Sequence, residues 1–138
     1  MKGFFTSAIL IGWPLANVLY FVNLGLEAAA ISPEQAIGAG VAPAVYSGLI
    51  YTKASMAFCW AVIGWSAWKG NKLSCLSSSW LFVGLFTSDF AISHRMAIEA
   101  NDPLFLPVAV SLAILDTWYL IWAVRNSYPK GPMTWRES

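Results

Sequence analysis

Charge is what this chain has least of. Only 11 % of its 138 residues are Asp, Glu, Lys or Arg, against roughly 25 % in a soluble domain. One histidine and two cysteines do not make a zinc set. A net charge of +1, with no lysine/arginine cluster, excludes a nucleic-acid surface. The chain has no glycine-rich nucleotide loop, no metal box and no nucleophile elbow, so no metal or cofactor is expected. Cys59 falls inside an apolar run and Cys75 follows a basic stretch. That difference in depth argues against a disulfide.

What is present is apolar. Hydrophobic residues make up 58 % of the chain, with eight tryptophans and a mean hydropathy of +0.61. A buried soluble bundle would carry a polar face on each helix, and the stretch AFCWAVIGW at 57–65 shows none. A membrane span needs about 20 mostly apolar residues. Residues 4–26, 46–68, 79–98 and 104–124 meet that requirement. The fold expected is an all-α integral membrane four-helix bundle occupying 1–138 as one domain, with 125–138 as a cytoplasmic tail. Lys2, an apolar run and Ala28-Ala29-Ala30 also have the outline of a signal peptide, but the run is long enough to span, and we read it as a retained helix. Pro14 is expected to kink it. Between the first two spans, Ser32-Pro33-Glu34-Gln35 is a capping box with Pro at the first helical position, predicting a short surface helix ended by Gly38 and Gly40.

Four spans put both termini and the middle loop on one side. Lys2, Lys69, Lys72, Arg125, Lys130 and Arg136 fall there, with Glu137 as its acid. Glu27, Glu34, Glu99 and Asp102 fall on the other, with Arg95 and Lys53. The positive-inside rule then places both termini in the cytoplasm and the short helix outside. The expected location is a bacterial inner membrane. Trp13, Trp65, Trp68, Trp80 and Trp122 would form an aromatic belt on the cytoplasmic side. Ala54, Ala57, Ala61 and Gly64 recur along one face of the second span and offer a seat for another helix.

The polar residues inside the spans carry the functional expectations. Asp89 lies near the middle of the third span and Asp116 about twelve residues into the fourth. Each costs roughly 2.5–3.5 kcal/mol to insert at a helix centre. Such an acid faces a cavity, pairs with a cation, or is protonated and bonded to a neighbour such as Thr117, Ser88 or a backbone carbonyl. His94 sits one turn inside the helix end that carries Arg95, Glu99, Asn101 and Asp102, with a reference pKa suited to acid/base work. Axial ligation of a pigment or haem in a complex is its other use. Arg95 and Glu99, four apart, can pair. Asn17, Asn23 and Glu27 on the first span, with Tyr51 and Lys53 on the second, bring polar groups to the exoplasmic half, where Lys53 is expected to snorkel.

Three functions fit these residues. The first is an acid/base isomerase or cyclase acting on an isoprenoid, sterol or quinone-like substrate. Asp89, Asp116, Glu27 and His94 would be its acid/base groups, and Asn17, Asn23, Tyr51, Trp118 and Tyr119 would line its substrate site. The second is a non-catalytic subunit or assembly factor of a larger membrane complex. The third is an oligomeric proton-coupled transporter. A membrane lipid or lipophilic small molecule, and a second copy or a larger complex, are the partners expected.

Overall fold

The computed structural model describes residues 4–38, 40 and 42–126, and all of their regular structure is helical. In chain order the helices are α1 (Phe4–Ala30), α2 (Pro33–Gly38), α3 (Pro43–Lys69), α4 (Lys72–Glu99) and α5 (Phe105–Asn126). The expectations for Lys2, Lys130, Arg136 and Glu137, and most of the tail, lie outside the described residues. Three helical segments are long and apolar enough to cross a membrane: Ala8–Ala30, Lys72–Glu99 and Phe105–Asn126. At 27 residues α3 is as long as α1, but Lys53 and its tyrosine, serine and tryptophan residues dilute its apolar character.

Local chemistry sets the helix ends. Ser32 Oγ accepts from the Gln35 N–H at 3.2 Å, and Gln35 Oε1 accepts from the Ser32 N–H at 2.8 Å. The reciprocal capping box therefore starts α2 as its sequence predicts. The loop expected over residues 69–78 is instead a two-residue turn, and α4 starts seven residues earlier than the pattern of apolar residues indicates. Gly70 takes the left-handed conformation (φ 75°). Its N–H bonds to the Ala67 carbonyl, and the Asn71 N–H bonds to that of Ser66, completing a Schellman motif. Asn71 then caps α4 by accepting from the Ser74 N–H at 3.1 Å. Ser79 is tolerated inside α4 because its hydroxyl donates to the Cys75 carbonyl at 2.6 Å. The far end of α4 closes the same way. Asn101 is left-handed (φ 54°), its N–H and that of Asp102 bond to Ile98 and Ala97, and Asp102 accepts from the Leu104 N–H.

α3 is the central helix. It packs along α1 on one side and α4 on the other, while α5 touches α4 and α3 only lightly. The core gathers Met56, Trp60, Ile63 and Ala67 of α3, all fully buried, around Phe21, Phe82 and Tyr119. Trp60 meets Phe82 and Tyr119 at centroid distances of 5.1 and 5.6 Å, within the range of favourable aromatic pairs. Only part of the small-residue stripe of α3 is used in packing within the chain. Ala57 is buried, whereas Ala54 and Ala61 face outward. Gly64 lies so close to α1 that a Cβ there would stand 2.7 Å from the Pro14 ring. This close seat is the role expected of small residues between membrane helices.

Candidate functional site

The structure places the two deep carboxylates in separate interhelical ties. Asp116, on α5, is 3 % exposed. Its Oδ1 accepts from Trp13 Nε1 at 3.0 Å and from Asn17 Nδ2 at 3.2 Å, both on α1. The partners considered from sequence are elsewhere: Thr117 is exposed, and the Ser88 hydroxyl donates to the Gly84 carbonyl of its own helix. One turn beyond Asp116, Tyr119 donates its hydroxyl to the Leu10 carbonyl at 2.9 Å. That carbonyl is the one Pro14 leaves without its helical donor, because proline has no N–H and would have bonded four residues back. Pro14 thus opens a backbone acceptor in α1, and α5 fills it.

Asp89, on α4, has a charged partner. Lys53 Nζ of α3 lies 2.5 Å from its Oδ2, and the side chains are 10 % and 6 % exposed. Ser93 Oγ stands 3.4 Å from both groups. Lys53 therefore does not snorkel. Its ammonium stays inside because Asp89 and Ser93 replace the water it would otherwise seek, and a Cβ added at Gly25 of α1 would stand 3.5 Å from the Lys53 Cβ. The second oxygen, Asp89 Oδ1, is buried and has no hydrogen-bond partner among the described residues.

The remaining site candidates are dispersed. Asn23 donates to Glu27 at 3.1 Å, and this pair is exposed on α1. Tyr51 and Trp118 point outward, at 74 % and 72 % exposure. Asn17 and Tyr119 belong to the tie at Asp116. His94 forms a three-ring cluster with Phe90 (5.6 Å, 9°) and Phe105 (5.9 Å, 23°), and its Nδ1 is buried with no partner among the described residues. Arg95 and Glu99 form no ion pair; the Arg95 guanidinium lies instead over Gly40, next to α2. No cluster of three metal-binding side chains forms among the described residues.

Three features emerge only with the fold. Lys53 as the counter-ion of Asp89 is one. The second is a four-residue stripe on α4, Phe82, Phe86, Phe90 and His94, whose rings follow one another at 5.6–6.0 Å. The third is the outward face of α3, where Tyr51, Phe58 and Trp65 recur every seven residues with Ala54 and Ala61 between them, all exposed. Spacing of four and of seven was the available signal for the last two. A groove of about 540 Å³ also runs between α4 and α5, with Thr117 as its one polar wall residue. Asp89, Asp116 and His94 do not line it.

No protein-family model matches the chain, and no curated protein or solved structure matches it either. Its chemistry has to be read from its own geometry.

Proposed function

We propose that the chain is an integral membrane protein in which α1, α3, α4 and α5 all cross, with both termini in the cytoplasm of a bacterial inner membrane. Its role is that of a non-catalytic subunit, docking a transmembrane helix of a larger membrane complex. The outward face of α3 carries this reading. In lipid a helix gains little from hydrophobic burial, so association depends on interdigitation. Large residues at 51, 58 and 65 with alanines at 54 and 61 give alternating knobs and holes at the seven-residue period of a helix pair. The chain's own packing leaves this face unused: Tyr51, Phe58 and Trp65 are 74 %, 69 % and 60 % exposed. The deep carboxylates fit the same role, since each serves as a tie that fixes the array presenting that face.

Cysteine placed at Ala54 or Ala61 tests it in native membranes, the two native cysteines being buried. Coupling that cysteine to a benzophenone maleimide and illuminating, which inserts into any neighbouring C–H bond, is expected to give one adduct of fixed mass, lost when Phe58 is changed to Ala. An adduct of twice the chain's own mass makes the partner a second copy. A chain that stays monomeric at both positions ends the reading.

A second reading retains a specific observation. Asp89 Oδ1 and His94 Nδ1 are buried polar atoms without partners among the described residues, and unmet groups of this kind are where acid/base chemistry on an isoprenoid, sterol or quinone-like substrate would begin. Loss of turnover of such a substrate in Asp89→Asn, with helix packing intact, is the result that favours it.

A further inference from the structure

The groove between α4 and α5 is not lined by the carboxylate ties, and it lies on a different helix pair from the outward heptad face. Its walls are Phe86 and Phe90 of α4 with Val110, Ile114, Trp118 and Ile121 among those of α5. Along α5 the lining runs from Ala109 to Ile121, about 18 Å at 1.5 Å per residue. That is close to one leaflet of a hydrocarbon core about 30 Å thick. The groove is shallow, and one end of its lining meets an aromatic contact between the two helices. Phe105, one turn before Ala109, stacks on Phe90 at 5.9 Å and on His94 at 5.9 Å, joining the two helices there. At the other end the stripe through Ile114, Trp118 and Ile121 continues, one turn on, to Arg125, which is exposed in the last turn of α5.

We infer that this groove holds one acyl chain of an anionic phospholipid from the leaflet on the Arg125 side, with the Arg125 guanidinium against the phosphate. Length favours an acyl chain over a helix as the occupant: a partner helix is 10–12 Å across and runs the full span, whereas the lining on α5 ends at Ala109, one turn from the Phe105 contact. Charge selects the headgroup, because a guanidinium at the mouth of an apolar slot favours an anion and pairs with phosphate through its planar fork. This inference rests on the membrane reading above and is independent of the docking face on α3.

The test uses the full chain in phosphatidylcholine vesicles containing a minor amount of phosphatidylglycerol with a photoactivatable group midway along one acyl chain. The same probe on phosphatidylcholine is the comparison, and labelled positions are mapped by mass spectrometry. Labelling is expected on the groove walls, with the anionic probe preferred about fivefold, the factor a single arginine near the surface supplies. Arg125→Gln should abolish the preference while leaving labelling in place. Ala113→Trp, which fills the slot, should remove both, and circular dichroism confirms that this variant keeps its helices. Equal labelling by the two probes, or labelling spread over all outward faces, overturns the inference while leaving the membrane reading standing. A chain that alkaline carbonate strips from the vesicles overturns both. Loss of preference in wild type when ionic strength is raised supports the charge contact, since screening weakens an exposed pair.

Discussion

The two buried aspartates solve one problem in different ways. Asp89 has a cation, Lys53, held 2.5 Å away across the α3–α4 contact. Asp116 has none among the described residues; neutral donors from Trp13 and Asn17 reach it from α1. The difference follows from the packing around each. Where α3 and α4 lie close together, a lysine stem fits between them, with Gly25 of α1 near its base. Where α5 touches its neighbours only lightly, an indole and a side-chain amide of α1 reach its carboxylate instead. The first tie joins helices that already pack well. The second adds a polar tie to a helix whose Tyr119, Leu120 and Ala123 already join the core.

Removing one partner of the charged tie should have the largest effect. Lys53→Met leaves Asp89 buried with only Ser93 beside it, and is expected to cost about 3–5 kcal/mol in a detergent unfolding titration. Lys53→Met combined with Asp89→Leu should recover most of that, because no charge then remains unpaired. If the double variant is as unstable as the single one, the charge pair is not what the site depends on. Next comes the neutral tie. Asp116→Leu strands the Trp13 and Asn17 donors and should cost about 1–3 kcal/mol. Asp116→Asn keeps an acceptor oxygen and should cost less than Asp89→Asn, which strips Lys53 of its counter-charge. Equal losses for the two asparagine variants would erase the distinction between the sites.

Smaller still is Tyr119→Phe, which uncovers the Leu10 carbonyl. A membrane hydrogen bond of this kind is worth about 0.6 kcal/mol on average and at most about 1.7. Pro14→Ala returns a backbone N–H to that carbonyl, so Tyr119→Phe should cost less in the Pro14→Ala background; a double-mutant cycle reads the coupling. Trp118→Ala, on the outward face of α5, should change unfolding stability by no more than about 0.5 kcal/mol.

The helices were legible because runs of apolar residues longer than about 18 have few other uses. The Ser32–Gln35 capping box and the helix end at Asn101 were legible for a local reason, since cap chemistry is written in a few adjacent residues. The Lys53–Asp89 pair was not. Placing the turn at 70–71 makes these two residues nearly equidistant from it on antiparallel helices, and therefore level. The serines at 74, 77, 78 and 79 resemble a loop, and reading them that way shifts Asp89 out of register with Lys53. The Asp116 tie was hidden for another reason. It joins the first long helix to the last, and nothing local in either sequence records which residues of α1 will face α5. Trp13 was read as an interfacial tryptophan, a use that its exposure pattern does not separate from that of a hydrogen-bond donor.

The hydroxyl of Tyr119 on the Leu10 carbonyl has a bearing on how the molecule is made. On the proposed membrane placement, a chain emerging from the ribosome delivers α1 to the bilayer with one backbone oxygen bare in hydrocarbon, and its donor is synthesised 109 positions later. Until α5 arrives, that oxygen must borrow water or a neighbouring hydroxyl. Insertion of the final helix is therefore the event that seals the first one, and truncation before α5 leaves a defect at the opposite end of the sequence.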